Sequence, residues 1–575
     1  MTSPLSRIRP LPLLALCIAL ILEGSPLDGQ RATGAPVRGV SADAAARVDA
    51  LFAPWNRTGS PGCSVGISRN GATIYEKGFG TASIESRVPI APASVFHVAS
   101  ISKPFTAASI LLLARAGKLS IDDDVRRYIP EWQGQPSVTI RHVLSHTAGL
   151  RDAFLLIELA ALDGIQSRSD RLVSLLARQQ GLSSPPGSEF AYNNSGYVLL
   201  AEIVNRVSGR SLRAFAEAEL FGPIGMSHTH FHDDTSMIVP NLATGYTRLG
   251  QELRLARPRS GVVGNAGLFT TTGDLLRWAN SLADGRVGGT AVVEAMQQAT
   301  LLTTGRTSDY GLGLWFGRDR GLRTVSHGGG DPGVNAYFVR YPDQGLATAV
   351  LCNIDDIDSA ALSQQIAEIY LGSAMSAPAP PANAPTSVPL APQQLAAYEG
   401  LYRDPTSDFL LRIMVRDGEL RGSPGAGFDE GWPTMATGPD RFTIPGTEIS
   451  LIFEPSGDGG RALRIEGERE TPFVFERIAP FTPAPESLAA FAGDYVGAEL
   501  DSTYSIASNS DGLTVRIPGR QPIDLQPIDP DGFAGPLFGV IRFTRDSDRR
   551  ITGFIINAIG ASGLRFVPAV SCCPR

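Results

Sequence analysis

The chain has 575 residues, 43% of them hydrophobic and 19% charged, with a net charge of −7 and a pI near 5.6. This length supports two to four domains with at least one large core. The acidic balance and the lack of a long basic run exclude nucleic acid and an anionic membrane surface as partners.

Residues 1–30 read as a signal peptide. A short basic head, MTSPLSRIRP, precedes the 12-residue run LPLLALCIALIL, which is too short to span a bilayer. Cys17 lies mid-run behind the bulky Leu16, which argues against lipid attachment. No later run reads as transmembrane. The mature chain is therefore expected to be periplasmic or extracellular, with no membrane span and in a compartment where disulfides are permitted. Cys63 and Cys352 fall in strand-like runs and could meet; the reading preferred here is two buried thiols. Cys572 and Cys573 sit on a tail.

A catalytic domain is expected over 35–375. SADAAARVDALFAPW has helical spacing. CSVGISRNGATIYEKGFG alternates apolar and polar residues around Asn70-Gly71, a hairpin signal. From about Ser100 to Leu301 helical patterns dominate, and strand patterns return in YGLGLWFG, RTVSHGGG, NAYFVRYP and LATAVLCNI. A closing helix follows in SAALSQQIAEIYLG. Strands at both ends with helices between them give an α/β (α+β) architecture: one antiparallel sheet flanked by helices, with an inserted helical lobe.

Residues 376–393 form a Pro/Ala-rich linker, with six prolines from Pro378 to Pro392. Beyond it LAAYEGLY at Leu395 recurs as LAAFAGDY at Leu488, 93 residues later. Each unit closes on a phenylalanine-bearing strand. The expectation is two small antiparallel β modules of the lipocalin-like barrel type, at 394–478 and 486–570, with the second a repeat of the first. They lack histidine and any Ser-x-x-Lys, so they are expected to shape substrate access rather than do chemistry.

Three of the 50 basic residues are lysines: Lys77, Lys103 and Lys118. Lys103 stands one turn after Ser100, in VASISKPFTA. The stretch ISKPFTAASILLLARAG is apolar nearly all round, so it reads as a buried helix, with Pro104 in its first turn and Gly117 at its stop. Ser100 then sits at the helix N-terminus, with Lys103 beside it on the same face. A serine hydroxyl needs a neighbouring base before it can attack a carbonyl. Arginine does not deprotonate in proteins, whereas a buried lysine does.

With VFHVASISKPFTA, VTIRHVLSHTAGL, PPGSEFAYNNSGYVLLAEIV and SHGGGDPGVNAYFVRYPD in this order, the chain resembles the serine β-lactamase and penicillin-binding-protein superfamily. The resemblance is to its class C β-lactamase-like branch, with D-aminopeptidases, D,D-peptidases and esterases. It implies a secreted serine hydrolase working through an acyl-enzyme, with no cofactor and no metal. The implied partners are small-molecule or peptide substrates, cell-wall fragments among them. Ser100 would be the nucleophile. Lys103 and Tyr192 would move its proton, and Asn194 would orient Lys103 and the substrate carbonyl. Gly329 would admit the substrate backbone to the strand, and the N–H of Gly330 would share the oxyanion hole with that of Ser100. Where the branch commonly has lysine in its third motif this chain has His327, expected to titrate near pH 6.5 and to bind a substrate carboxylate in its charged form. That departure speaks against efficient penicillin hydrolysis. The alternative function is a weak β-lactamase or a non-turning-over penicillin-binding or sensor protein.

Two rival readings attach to histidines. HTHFHDD alternates His228, His230 and His232 beside Asp233 and Asp234, a zinc-like pattern. It falls where the family has an ordinary loop, so no metal is assigned. His97 and His146 are read as structural.

Overall fold

A computed structural model describes residues 42–569, apart from 133–135, 163–168, 257–260, 378–386, 426–430, 446, 448, 457–460 and 468–472. The expected signal peptide, the middle of the linker and the Cys572–Cys573 pair lie outside the described residues.

Six antiparallel strands form the central sheet. They are β1 (Cys63–Arg69), β2 (Ala72–Phe79), β3 (Trp315–Asp319), β4 (Leu322–Asp331), β5 (Val334–Tyr341) and β6 (Leu346–Cys352), in the order β3-β4-β5-β6-β1-β2. β6 is buried along its whole length, and its sequence LATAVLC is apolar at six of seven positions, as a strand covered on both faces requires. Asn70 and Gly71 close the β1–β2 hairpin with positive φ at both residues, the conformation a type I′ turn demands.

Helices cover both faces. α1 (Ala42–Phe52) and α5 (Ser359–Leu371) pack on one side, burying Val48, Phe52, Leu362 and Ile366 against Val65, Ile67 and Val350. On the other side lie α2 (Ser102–Arg115), α3 (Asn194–Ser208) and α4 (Thr272–Asp284), with the helical lobe built around α2 and α3. Pro104 occupies the first turn of α2, where its missing N–H costs nothing, and Gly117 follows the helix in the left-handed conformation.

Cys63 and Cys352 stand directly opposite each other across β1 and β6 and form a disulfide, which corrects the preference for buried thiols. Register decides it: the two residues end neighbouring strands at the same level. Sequence shows that both are strand residues but not that they are paired.

The two β modules repeat each other in detail. Short helices start at Pro392 and Pro485, first strands at Gly400 and Gly493, and Tyr402 and Tyr495 each donate a hydroxyl hydrogen bond to a carbonyl four residues upstream, Tyr398 and Phe491. The first module is a nine-stranded antiparallel sheet and the second a closed eight-stranded barrel. Phe491, Phe533, Phe543, Phe554 and Phe566 fill the second barrel. Its core is continuous with that of the helical lobe, where the Tyr504 hydroxyl donates to the Leu159 carbonyl at 2.5 Å. The modules meet through Arg403 and Arg542, paired with Asp529 and Asp408, and through Leu410, Ile528 and Val540.

The disulfide closes a loop of 289 residues across the middle of the catalytic sheet. Its removal in Cys63→Ala/Cys352→Ala is expected to cost about 2–4 kcal/mol of stability. Reduction with dithiothreitol should lower the melting temperature of the unmodified chain and leave that of the double variant unchanged.

Candidate active site

Ala99–Ile101 forms a 3₁₀ turn leading into α2, and Ala99 adopts a left-handed φ of 44°. That conformation costs a non-glycine residue about 1–3 kcal/mol. Ser102 holds it: its hydroxyl donates to the Ala99 carbonyl at 2.6 Å and accepts from the Leu268 N–H at 2.9 Å. The turn leaves Ser100 partly exposed while Lys103, one helical turn on, is completely buried.

The Lys103 Nζ has three oxygen neighbours: Ser100 Oγ at 3.0 Å, Asn194 Oδ1 at 3.1 Å and the Asn265 carbonyl at 2.9 Å. It also lies 4.6 Å from the centre of the Tyr192 ring. Burial lowers its pKa to about 7, while the negative charge of Asp152 acts in the opposite direction. In the neutral amine, two N–H groups serve the two carbonyl oxygens, which can only accept. The lone pair is then left facing the Ser100 hydroxyl.

The neighbouring asparagines divide their work. Asn193 caps α3, its side chain accepting from the Gly196 N–H at 3.1 Å and donating to the Leu150 carbonyl at 2.7 Å. Asn194 is thereby released from capping, and its side chain faces Lys103 and Asp152. His146, itself at φ 57°, accepts the Asn193 N–H at 3.1 Å and stacks 4.3 Å from Tyr192. Burial, Lys103 and His327 hold it neutral. Phe190 and Trp315 complete an aromatic wall beside Tyr192, with the Trp315 and Tyr192 rings 6.4 Å apart and near parallel.

β3 pairs with β4 only as far as Ser326, so on that side the edge of β4 lies open from His327 onward, next to the Ser100 turn. A Cβ at Gly329 would lie 2.1 Å from the Val98 carbonyl and 3.3 Å from the Ser100 nitrogen. Glycine is thus required there by the chain's own close approach, before any substrate is considered. Gly330 follows, half-buried, on the same open edge.

His327 departs from expectation. It is 1% exposed, its Nδ1 donating to the Gly328 carbonyl at 2.6 Å and its Nε2 accepting from the Tyr310 hydroxyl at 3.2 Å. Burial first, and Lys103 second, lower its pKa to about 3. It is neutral throughout the working range and presents no charge to a substrate carboxylate. A free histidine's value does not apply because the assembled sheet buries the ring, which the local sequence does not encode.

His97 is also buried and neutral, accepting from the Gly267 N–H at 3.4 Å. His230 and His232 pack with it around Phe269, 3.3 Å apart at their nearest ring nitrogens, while the His228 ring meets the Ser227 hydroxyl and its backbone N–H donates to Asp274. Among the described residues no group of three or more histidine, cysteine, aspartate or glutamate side chains is arranged to hold a metal ion. Sequence reasoning missed Asn265, Asp152 and Ser102. Only Ser102 carried a local signal, as a second serine beside the strained turn.

A match to the Beta-lactamase family spans residues 45–371. Penicillin-binding protein 4* of Bacillus subtilis is 32% identical over 306 residues, covering 50% of this chain and 67% of its own. A D-aminopeptidase of Cereibacter sphaeroides is 26% identical over 495 residues, covering 84% of this chain and 89% of its own, so the similarity continues into the β modules. An octameric penicillin-binding protein homologue from Pyrococcus abyssi shares the fold, with a TM-score of 0.53 and 22% identity over 75% of this chain and all of that one. A serine and a buried lysine of lowered pKa on one helical turn, within a matched domain of more than half the chain, place this protein in the beta-lactamase family as a serine hydrolase.

Proposed function

We propose that this hydrolase is exported and cleaves amide or ester bonds in D-amino-acid-containing peptides or small esters. The observation that carries the reading is the Lys103 amine, held 3.0 Å from Ser100 Oγ by two oxygens that can only accept. The similarity to a D-aminopeptidase over 84% of the chain supports the substrate class. The Cys63–Cys352 disulfide and the signal-like N-terminus support export to the periplasm or beyond.

In the proposed cycle Ser100 Oγ attacks the substrate carbonyl carbon as its proton passes to the Lys103 Nζ. The N–H groups of Ser100 and Gly330 receive the oxyanion. The proton moves by way of Tyr192 to the leaving amine or alkoxide, and the carbon–nitrogen or carbon–oxygen bond breaks. Water then attacks the ester of Ser100, giving its proton to the same pair; the acyl C–Oγ bond breaks, that proton returns to Ser100 Oγ, and the acid departs. Phe190, Tyr192 and Trp315 offer an apolar wall for a side chain of the substrate. Cell-wall fragments containing D-residues fit this class. The second reading, a penicillin-binding protein that is acylated without turnover or a weak β-lactamase, is favoured by the similarity to penicillin-binding protein 4*. The neutral His327 in place of a permanent cation weighs against rapid β-lactam hydrolysis.

A fluorophosphonate should label the full chain at Ser100 and fail to label Ser100→Ala; labelling that persists in the variant would remove Ser100 as nucleophile. Turnover measured on a D-alanyl peptide, a D-amino-acid amide, a nitrophenyl ester and a chromogenic cephalosporin should favour the first three. Stoichiometric acylation without turnover on all four would establish the second reading.

Lys103→Arg keeps the charge and loses the base, so kcat should fall at least about 100-fold. A near-normal rate would make Lys103 a structural cation.

In the unmodified enzyme kcat/KM should rise as pH increases through about 7, where Lys103 gives up its proton. Because His327 is neutral over this range, a neutral ester and a carboxylate-bearing D-peptide should share that limb. A second limb near pH 6.5, confined to the carboxylate substrate, would show His327 titrating in the cleft.

A further inference from the structure

Asp152 lies behind the second asparagine of the site. Its Oδ2 is 3.3 Å from both the backbone nitrogen and the Nδ2 of Asn194, and its Oδ1 accepts from the Phe154 N–H at 2.9 Å. A side-chain amide can be turned either way, donor for acceptor. A carboxylate can only accept, so Asp152 obliges Asn194 to present Nδ2 to it and Oδ1 to Lys103. Were the amide reversed, its N–H₂ would face the Lys103 amine, which would then lose one of the two acceptors that aim its lone pair at Ser100.

The segment carrying Asp152 is held by the second β module. Arg151, 3% exposed, makes an ion pair of 2.5 Å with Glu499, which is 8% exposed. The same guanidinium donates to the carbonyls of Ser562 and Gly563 at 2.8 and 3.0 Å, and to Gln179 at 3.0 Å. Glu499 accepts in addition from the Gln180 N–H at 2.7 Å. The Asp152 N–H donates to the Gly560 carbonyl at 2.6 Å, at a hairpin tip where a Cβ would lie 3.3 Å from the Asp152 Cβ. On the other side, the Arg151 carbonyl accepts the Ser195 hydroxyl at 2.5 Å, which ties this segment to the first turn of α3. A continuous set of hydrogen bonds therefore runs from the second module through Arg151–Asp152 and Asn194 to Lys103 and Ser100.

We propose that Asp152 is a positioning residue for the hydrolysis, setting the orientation of the Asn194 amide, and that the second β module clamps the Arg151–Asp152 segment as part of the active-site framework. This deepens the reading of Ser100 as nucleophile and rests on it. It also revises the expectation that the modules serve substrate access alone.

The test uses the full chain, a small nitrophenyl ester and three variants: Asp152→Ala, Asp152→Asn and Glu499→Gln. The ester makes no demand on D-residue recognition. Asp152→Ala removes the acceptor and should lower kcat/KM about 100-fold, the scale of a misplaced catalytic group, mainly through kcat. Asp152→Asn keeps one acceptor oxygen and should recover part of that loss. Glu499→Gln leaves Asp152 intact but loosens its segment, and should lower kcat with KM little changed. Lys103 is faced by Ser100, Asp152, Tyr192, Tyr197, His146 and His327, of which Asp152 supplies the negative charge. Both Asp152 variants should therefore move the acidic limb of kcat/KM to lower pH. Rates within threefold of wild type in Asp152→Ala, or an unmoved limb in Asp152→Asn, would overturn the proposal. If Asp152→Ala fails to fold, the limb in Asp152→Asn decides alone. Glu499→Gln with a lowered melting temperature and an unchanged kcat would overturn the role of the module. A wild-type enzyme not acylated at Ser100 by the ester would instead refute the reading beneath it.

Discussion

A lysine amine buried among carbonyl oxygens is the constraint on which the rest of this site depends. The fall in the Lys103 pKa from 10.5 to about 7 corresponds to roughly 5 kcal/mol of added bias toward the neutral form relative to a free lysine, and burial is its first cause. The same burial that favours the neutral amine would leave it without partners if its neighbours moved. Each neighbour is accordingly fixed by its own local device. Ser102 holds the strained Ala99 turn that presents Ser100. Asn193 caps α3 and thereby frees Asn194. The Asn265 carbonyl is brought in by a loop whose flanking Gly264 and Gly267 both have positive φ. Ser100 stays partly exposed while Lys103 is fully buried, a combination a helix gives readily, since residues three apart share a face but differ in depth.

The choice of basic residues follows the same logic. Arginine fills nearly every cationic position, in surface pairs such as Arg141 with Asp122 and in buried ones such as Arg151 with Glu499, because its planar fork suits carboxylates. It cannot fill position 103. The neutral His327 belongs to this argument as well. Lys103 and His327 are close enough for each to disfavour charge on the other's side, so a permanent cation at 327 would press the Lys103 pKa lower still. With histidine there, held by Tyr310 and Gly328, Lys103 keeps a pKa near neutrality.

How much of this was legible in the sequence depended on the distance over which each feature is encoded. Ser100 and Lys103 are neighbours by helical periodicity, and Tyr192 and Asn194 by a motif with fixed spacing, so local reading found them. The hairpin at Asn70-Gly71 and the ends of α2 were legible because backbone conformation at glycine, asparagine and proline is a property of the residue itself. The Cys63–Cys352 pairing needed strand register over 289 residues, which alternation does not specify. Asn265 reaches Lys103 across 162 residues, through a backbone carbonyl that any residue would supply. Burial of His327 is likewise a property of the assembled sheet. The β repeat lay open because its opening motif is written twice, 93 residues apart. Its meeting with the catalytic domain did not, since Arg151 and Glu499 are each unremarkable charges until folding brings them together across 348 residues.

The repeat duplicates a fold without duplicating its contacts, and this explains which copy meets the Arg151–Asp152 segment. Subtracting the offset of 93 from 499 gives position 406, which is Thr406 in the first module. A threonine hydroxyl cannot neutralise a buried guanidinium. The first module therefore lacks the carboxylate that Arg151 requires, and the second carries it. The first module is instead joined to the second through Arg403, Asp408, Asp529 and Arg542. Arg542 also lacks a counterpart: Phe543 and Phe453 hold equivalent places, each donating its N–H to an aspartate carbonyl, so the position that matches Arg542 is the apolar Ile452. Order along the chain and order in space thus differ. The module nearer in sequence to the catalytic domain grips the more distant one, and the more distant one closes back on the Arg151–Asp152 segment. Because a buried ion pair loses far more when one partner is removed than it contributes as an intact pair, such a contact favours a single docked arrangement over a series of loose ones. Through Asp152, that arrangement reaches the Asn194 amide beside Lys103.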